Sequence, residues 1–494
     1  MNPSTATGSY HGGNRLIAGI VLAVITFWLF AQTTLNIAPA MRADLNIRES
    51  LNNIAVSITA LFSGIFIVVA GSLADRMGRV RLTNLGLALS ILGSLLIAIS
   101  PSATVVFLMA GRIIQGLSAA CIMPATLALM KAYFADKERQ RALSFWSIGS
   151  WGGSGVCSLF GGLVASSLGW RWIFWMSIVV AALSYLLIKG TPESRMPDAE
   201  HRRFDWAGFI AFIVAMVTVN VVIGQGSALG WLSPIVIGLS LMFAVAATVF
   251  FKVESGNPAG FVDLSLFQNK TYSGATLSNF LLNGAAGTLL VSLSLVQQAA
   301  GLSSMQSGLL TAGYLVAILG TIRVGEKLLQ RMGARKPMLL GSAITACGIL
   351  LTTFTFLLAS QYMVVAFLGF TLFGIGLGFY ATPSTDAALS NVPNDKAGAA
   401  SGIYKMASSL GSAFGVAISA ALFTAFRSGD ASLIPLLSDV FLGKTSNINI
   451  RFAAGVALLF NLFMVVVAFV AIARTVPKDD PRTGVSLITA PVNA

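Results

Sequence analysis

Uncharged apolar stretches long enough to cross a lipid bilayer dominate this chain of 494 residues. A transmembrane helix needs about 20 consecutive apolar residues. Charged residues make up only 10% of the chain, whereas soluble domains carry about 25%. The sequence therefore predicts an all-α membrane protein embedded in the lipid bilayer. Six stretches without any charge illustrate this, at 16–41, 50–74, 142–170, 172–188, 406–426 and 452–473.

Turn signals near Pro101, Gly226, Gly301 and Ser360 divide the longer uncharged runs into helical hairpins. With these breaks the sequence predicts 14 transmembrane helices. Their expected positions are roughly 16–40, 51–73, 83–100, 104–130, 142–166, 172–189, 206–226, 231–251, 273–298, 308–329, 337–359, 362–389, 398–424 and 451–473.

Basic residues are distributed unevenly between alternate loops. Lysine and arginine accumulate in the cytoplasmic loops of membrane proteins. The asymmetry is strongest if both termini lie in the cytoplasm, because most basic residues then lie on that side. External loops would hold only Arg42, Arg48, Arg171, Arg427, Lys444 and Arg451.

A short basic hairpin occurs twice, at Gly71–Arg81 and again at Leu328–Lys336, and both copies contain Leu-x-x-Arg-Met-Gly. Such a repeat indicates a duplicated helical bundle, the architecture of transporters with a substrate site between two halves. The expected division is an N-terminal six-helix bundle at 1–190, a linker with two inserted helices at 191–272, a C-terminal six-helix bundle at 273–474 and a cytoplasmic tail at 475–494.

Several classes of protein are disfavoured. Both histidines, His11 and His201, lie in predicted aqueous segments and all three cysteines lie in apolar ones, so neither a metal site nor a cofactor is expected. The chain lacks the phosphate loop of an ATP-driven pump and the intramembrane carboxylate cluster of an enzyme. The net charge of +13 is attributed to cytoplasmic loops, not to nucleic-acid binding. A monomer is expected.

Nearly every predicted span resembles the 14-span drug:proton antiporters of the major facilitator superfamily. The resemblance implies a bacterial cytoplasmic-membrane transporter that exports small amphiphilic drugs such as quinolones in exchange for protons, by alternating access. An exporter of an endogenous metabolite or siderophore, working by facilitated diffusion, is the alternative. The stretches that carry the resemblance include Ile25–Gln32, Ile54–Gly64, Gln115–Thr126, Phe145–Cys157, Arg323–Gln330 and Tyr380–Asp386.

The first basic hairpin resembles the signature loop of the superfamily. By that analogy, Asp75 and Arg76 form part of a cytoplasmic latch that holds the outward-facing state. Glycines allow helix ends to approach closely, and a carboxylate can interact with a cation or a helix N-terminus. An ordinary basic loop is the alternative. The predicted latch residues are Gly71, Asp75, Arg76, Gly78 and Arg79.

Two further motifs resemble those of the antiporters. Arg112 lies about 12 Å into its helix, at ~1.5 Å per residue. The resemblance implies that Arg112 has a role in proton coupling. The alternative is a structural role, in which helix carbonyl groups accept its hydrogen bonds. The glycine motif of the antiporters corresponds to Gly149, Gly153, Gly161 and Gly162, and packing alone is again an alternative.

The carboxylate that these antiporters usually carry in span 1 is missing here, because the chain has Ala31-Gln32-Thr-Thr-Leu-Asn36. We therefore expect proton exchange elsewhere. Asp386 and Lys405 lie at similar predicted depths in consecutive helices, which predicts an ion pair. Arg323 and Glu326 share one helix face. Asp386, or less favourably Glu326, would exchange a proton, and a static gating ion pair is the alternative.

Superfamily topology implies that spans 1, 4, 9 and 12 surround the substrate cavity. Aromatic and methionine side chains accept varied amphiphiles, and amides orient them. Core or lipid packing is the alternative for each aromatic residue. The candidates are Phe27, Phe30, Gln32, Asn36, Met123, Asn279, Asn283, Phe379 and Tyr380.

Overall fold

Helices account for the regular secondary structure in the part of the chain that a computed structural model describes. The described residues are 10–102, 104–195, 205–256, 264–301, 309–427, 441–442 and 447–478. The predicted tail therefore lies outside the described residues from position 479 onward.

The chain divides into two compact units. The first comprises residues 1–268 and 392–417, and the second comprises residues 269–391 and 418–494. The long helix Ala397–Arg427 is divided between the units. Its residues up to Ala417 belong to the first unit and the remainder to the second. The predicted division into bundles and inserted helices stays a prediction.

The first unit contains ten helices among its described residues, followed by the start of the shared helix. Trp206–Leu229 and Pro234–Gly256 pack on each other, and Trp206–Leu229 also contacts Glu49–Met77. The helices are α1 (Asn14–Ile25), α2 (Thr34–Leu45), α3 (Glu49–Met77), α4 (Arg79–Ala98), α5 (Val106–Tyr133), α6 (Asp136–Ser147), α7 (Gly153–Ser167), α8 (Arg171–Ile188), α9 (Trp206–Leu229) and α10 (Pro234–Gly256).

In the second unit, Ala312–Met332 and Arg335–Thr352 both pack against the long helix Ala359–Ser390. Side chains cap helix starts on both sides of the unit boundary, since Asp205 accepts from Gly208 N at 2.9 Å and Asn269 from Tyr272 N at 3.0 Å. The helices are α11 (Lys270–Gly284), α12 (Gly287–Ala300), α13 (Ala312–Met332), α14 (Arg335–Thr352), α15 (Ala359–Ser390), the shared α16 (Ala397–Arg427) and α17 (Ile448–Thr475).

Every predicted span coincides with a helix or a broken helix, but not all of them meet the length and composition expected of a membrane span. Among the described residues, 11 helices are long and apolar enough, and the bent pair Asp136–Cys157 and Leu159–Ser167 makes up to 12. The remaining two predicted spans are α13 and α14, which carry basic residues near the hairpin that joins them. Charge at these helix ends lowers the apolar character of each.

The signature hairpin is not the loop that the sequence predicted. α3 continues to Met77 and α4 begins at Arg79, so only Gly78 interrupts the helices. Gly78 has a φ of +115°, and Gly333 in the second copy has a φ of +71°. These values favour glycine. Each copy of the duplicated sequence therefore ends its first helix at a glycine with a positive φ.

Each unit has its own apolar core. In the first, Phe30, Ile37 and Met41 pack with Phe174 and other buried residues. In the second, Tyr362 and Phe370 pack with Ala453 and Leu458.

Candidate transport and gating site

Asp75 lies in the last turn of α3 and is 5% exposed. Its Oδ1 accepts a hydrogen bond from Gly398 N at 3.0 Å, and its Oδ2 accepts one from Ala399 N at 3.0 Å. Both donors belong to the first turn of α16, whose backbone N–H groups have no partner within the helix. The carboxylate therefore caps a helix that follows it by more than 300 residues, and its negative charge suits the positive helix end.

Arg79, rather than its neighbour Arg76, supplies the cation of this network. Its Nε and Nη2 donate to Asp75 Oδ1 at 3.1 and 2.8 Å. Nη2 also donates to the carbonyl of Asn394, just before α16, and Nη1 donates to Ser194 Oγ at 3.2 Å. Arg79 is 4% exposed, whereas Arg76 is only partly buried. The buried ion pair thus ties the hairpin to the start of α16.

Glycines permit this close crossing of α3 and α16. A Cβ atom on Gly71 would clash with the carbonyl oxygen of Gly398 and would lie 3.2 Å from Gly402 Cα. The Gly398-x-x-x-Gly402 spacing is a familiar signal for close helix packing in membranes. It could have been recognised in the sequence, although its partner helix could not.

Glu193 also belongs to this network, although the sequence did not identify it as a site residue. Its carboxylate accepts from Val80 N at 2.9 Å and Arg81 N at 3.0 Å, which satisfies free N–H groups at the start of α4. The neighbouring Ser194 accepts from Arg79 N at 3.0 Å through its carbonyl. A Cβ atom on Gly78 would lie 2.7 Å from the Glu193 carboxylate oxygens. The segment after α8 is therefore docked on the signature hairpin.

Arg112 is 1% exposed and donates to four oxygen atoms. Nε donates to Ala55 O at 2.9 Å, Nη1 to Ala31 O and Gln115 Oε1 at 2.9 Å each, and Nη2 to Val56 O at 3.1 Å. Carbonyl groups of two neighbouring helices therefore compensate its charge. These are the contacts that a structural role requires, and a role in coupling stays a prediction.

The predicted glycine motif follows the contact between span 1 and span 5. A Cβ atom on Gly149 would lie 3.4 Å from Val21, and one on Gly153 would lie 3.2 Å from Trp28 Cβ. A Cβ atom on Gly161 would clash with Thr33, whereas Gly162 is exposed and would meet nothing within 4 Å. Three of the four glycines therefore form a close helix contact.

Both helices of this contact contain a π-helical segment, Thr26–Ala31 after α1 and Ile148–Gly152 between α6 and α7. In the first, Gln32 N donates to Phe27 O at 3.0 Å, five residues earlier. Such segments are rare and frequently lie at functional sites. The predicted cavity residues Phe27, Phe30 and Gln32 lie in or beside the first one.

Lys405 lies inside α16 and is 7% exposed. Its Nζ lies 4.4 Å from the centroid of the Trp146 ring and 5.9 Å from that of Tyr404. The Trp146 ring is held in place because its Nε1 donates to Thr126 Oγ1 at 3.0 Å. A desolvated cation–π contact contributes about 2 kcal/mol. The ring therefore offsets part of the cost of burying this ammonium group.

The other proposed coupling residues lie in the second unit. Arg323 and Glu326 form the expected ion pair, and Gln330 Nε2 donates to Glu326 Oε1 at 3.1 Å. Asp386 is 5% exposed near the end of α15. Because Asp386 and Lys405 belong to different units, the ion pair predicted between them stays a prediction.

The remaining cavity candidates of the first unit have mixed surroundings. Phe30 packs edge-to-face on Phe160 at 5.3 Å within the apolar core, and Met123 is 2% exposed. Asn36 is exposed, and its Nδ2 lies 3.9 Å from Cys157 Sγ. Their contact with a substrate stays a prediction.

The candidates of the second unit form two polar groups. Tyr380 Oη lies 2.7 Å from Ser278 Oγ and accepts from Ser384 Oγ at 2.8 Å. Asn283 Nδ2 donates to Asn279 Oδ1 at 2.9 Å. Phe379, beside Tyr380, is partly buried. Hydroxyl and amide groups are thus buried along α11 and α15.

Comparison with known protein families decides the class of this chain. The family model of the Major Facilitator Superfamily matches residues 19–416 and, in a second match, residues 275–494. The chain belongs to the Major Facilitator Superfamily. It is therefore a multi-pass membrane transporter and not an enzyme.

A curated superfamily member shows how close the relationship is. The chain is 49% identical over 472 residues to the quinolone resistance protein NorB of Staphylococcus aureus strain JH9, covering 96% of this chain and 98% of that protein. The resemblance to the major facilitator superfamily that the sequence indicated is thereby confirmed. Identity of this extent over nearly the full length excludes a similarity limited to one bundle.

Solved structures of the superfamily share the fold. The proton:xylose symporter XylE, bound to 6-bromo-6-deoxy-D-glucose, has a TM-score of 0.64 at 15% identity, covering 94% of this chain and 96% of XylE. The human organic anion transporter MFSD10 has a TM-score of 0.56 at 15% identity, covering 91% and 98%. The all-helical superfamily fold predicted from the sequence is confirmed.

Proposed function

We propose that this protein is a multidrug efflux transporter that exports amphiphilic drugs, quinolones among them, in exchange for protons. The observation that carries the proposal is the 49% identity to the quinolone resistance protein NorB over 96% of the chain. By the same relationship, the protein resides in a bacterial cytoplasmic membrane. The distribution of basic residues supports placing both termini in the cytoplasm.

Asp75 and Arg79, with Gly71 and Gly78, act in this proposal as the latch of one access state. Support comes from the hydrogen bonds that join Asp75 to the start of α16. Breaking them leaves two helix N–H groups without an acceptor, so the latch opens only when another interaction compensates. Arg76 contributes as a neighbouring cation at the end of the same helix.

Proton exchange is assigned to Asp386, with Glu326 as the second choice. Lys405 and Arg323 are their respective cationic partners, and Arg112 sets the local electrostatics of the first unit. Support for the Glu326 assignment comes from its ion pair with Arg323. Protonation of either carboxylate would weaken its attraction to a cation and so release that pair during transport.

The Asp386 assignment is tested by drug-induced proton release from purified protein. Asp386→Asn is expected to lose it, because an amide cannot titrate. Asp395→Asn, at an acidic residue of the same predicted cytoplasmic side, serves as the control. Proton release that persists unchanged in Asp386→Asn would make the assignment wrong.

The substrate is proposed to contact aromatic and amide side chains along spans 1, 4, 9 and 12. Quinolones combine a flat aromatic ring with polar groups, and such residues accept both parts. The cavity residues are Phe27, Phe30, Gln32, Asn36, Met123, Asn279, Asn283, Phe379 and Tyr380.

Drug accumulation in cells tests the function directly. Cells that express the protein should accumulate less fluoroquinolone than cells with an empty vector, and a protonophore should abolish the difference. If a protonophore leaves export unchanged, or if no concentration gradient develops, facilitated diffusion of an endogenous metabolite or siderophore becomes the better explanation.

A further inference from the structure

We propose that Lys405 binds the carboxylate group of acidic or zwitterionic amphiphiles, with Trp146 holding its ammonium group from the other side. This rests on the proposed function, because it names the substrate group that one side chain of the transporter recognises. It assigns Lys405 a direct contact with substrate in addition to its place among the coupling residues.

The first observation is a comparison of the buried cations in the described part of the first unit, which are Arg79, Arg112, Lys131 and Lys405. Arg79 donates to the carboxylate of Asp75, and Arg112 donates to four oxygen atoms. Lys131 donates to the carbonyl of Val392. Three of the four therefore have oxygen acceptors within the unit.

Lys405 differs, because its contacts in the described part of this unit are aromatic rings. Nζ lies 4.4 Å from the Trp146 centroid and 5.9 Å from the Tyr404 centroid. A ring face attracts a cation but accepts none of the three N–H groups as an oxygen atom does. The described contacts of this unit therefore leave N–H donors of the buried ammonium group unused, and burial strengthens its attraction for an anion.

The Trp146 side chain gives this site a fixed geometry. Trp146 is 1% exposed, and its Nε1 hydrogen bond to Thr126 Oγ1 at 3.0 Å holds the ring in one orientation. The ring covers one side of the ammonium group, so that an anion must approach from another. A carboxylate fits this role, because it accepts charge-assisted hydrogen bonds. A substrate that carries only positive charge would be repelled.

Asp75, the buried carboxylate of the latch in the first unit, already has other partners and does not neutralise Lys405. Both of its oxygens already accept hydrogen bonds from Arg79 and the start of α16. A carboxylate brought by the substrate would therefore bind Lys405 in place of Asp386, the partner proposed for Lys405 in proton coupling.

The test compares a fluoroquinolone with its ethyl ester, which retains the ring system and the amine but lacks the carboxylate. Equilibrium dialysis against the purified full-length protein in detergent gives the ratio of the two dissociation constants. For the unchanged protein, esterification should weaken binding about tenfold or more, as expected for loss of a charge-assisted contact. In Lys405→Met the ratio should fall to about one, and Lys405→Arg should restore most of it.

Lys131→Met is the matched control, since Lys131 has the same 7% exposure in the same unit but donates to a backbone carbonyl. Its ratio should remain that of the unchanged protein. Lys405→Gln replaces Lys405→Met if the methionine variant does not yield folded protein. Ester binding of normal affinity confirms that the variant is folded and retains its site.

A preference for the free acid that survives in Lys405→Met, or its absence in the unchanged protein, would overturn the inference. Failure of the proposed function gives a different result. In that case proteoliposomes of the unchanged protein would not transport the fluoroquinolone against a gradient, whatever the binding ratio in the variants.

Discussion

Substitution of Asp75 by asparagine tests how strongly this carboxylate holds the start of α16. The aspartate accepts from Gly398 N and Ala399 N at 3.0 Å each, and it is almost fully buried. Hydrogen bonds to a charged group contribute about 1.5–3 kcal/mol each. An amide has one oxygen and no charge, so Asp75→Asn should destabilise the latched conformation by about 3 kcal/mol. That corresponds to about a hundredfold shift in population.

Maleimide labelling of a cysteine at position 401 measures this shift. Ser401 is fully buried on α16, where its Oγ donates to Ala397 O at 2.6 Å, and Ser401→Cys conserves its size. The reporter is placed in a protein whose three native cysteines are replaced by serine, and the protein is reconstituted in nanodiscs. Asp75→Asn should then raise the labelling rate about a hundredfold, because labelling requires the open population.

Asp136→Asn provides the control for this experiment. Asp136 is also an acidic residue at the start of a helix, α6, but it is exposed. Its substitution should leave the labelling rate unchanged. If Asp75→Asn raises the rate no more than Asp136→Asn does, the capping of α16 by Asp75 does not control the opening of the latch.

Three further predictions concern apparent midpoints of thermal unfolding. Gly71→Ala should lower the midpoint, because its methyl group would clash with α16 and overpacking costs about 1–3 kcal/mol. Gly64→Ala on the same helix should leave the midpoint unchanged, because a Cβ atom there would meet nothing within 4 Å. Equal midpoints for the two variants would contradict the close crossing of α3 and α16. Gly161→Ala should likewise be less stable than its neighbour Gly162→Ala, and the reverse order would refute the assigned helix face. Glu193→Gln should cost about 0.5–2 kcal/mol as a lost helix cap, and an unchanged midpoint would show that the linker contact is dispensable.

The positions of the helices were largely predictable, because an uncharged apolar run allows few alternatives in a bilayer. The ends were less so. The apolar stretch that predicts the second span stops at residue 73, but α3 continues through Asp75 and Arg76 to Met77. Charged residues continue a helix once it leaves the bilayer, so hydropathy marks the membrane boundary and not the helix end.

Contacts between distant segments were the part of the site that a single sequence could not provide. Glu193 follows α8 in a segment that the sequence identified only as a charged linker, although its carboxylate caps α4. Gly398 and Gly402 carry a visible packing signal, but nothing in their spacing names α3 as the partner. Tertiary structure alone brings these pairs together.

The position of its charge within a predicted span identified Lys405 as a candidate residue. Its contacts with aromatic rings could not be predicted in the same way. An intramembrane lysine is costly and is therefore a functional candidate by default. The sequence suggested a carboxylate partner from the helix before it, whereas the described contacts in its own unit are with Trp146 and Tyr404. Aromatic partners leave no signal at a fixed sequence spacing, so they could not have been anticipated.

The two copies of the basic hairpin have kept the bend while their side-chain chemistry has diverged. Gly78 and Gly333 both have positive φ values, so each copy retains the backbone that only glycine adopts readily. The residue of the second copy that corresponds to Asp75 is Gln330, whose amide donates to Glu326 on its own helix. An amide carries no charge for a helix N-terminus or for an arginine. The charge-dependent capping that Asp75 performs is therefore a property of the first hairpin, and a latch built on it need not have an equal counterpart in the second.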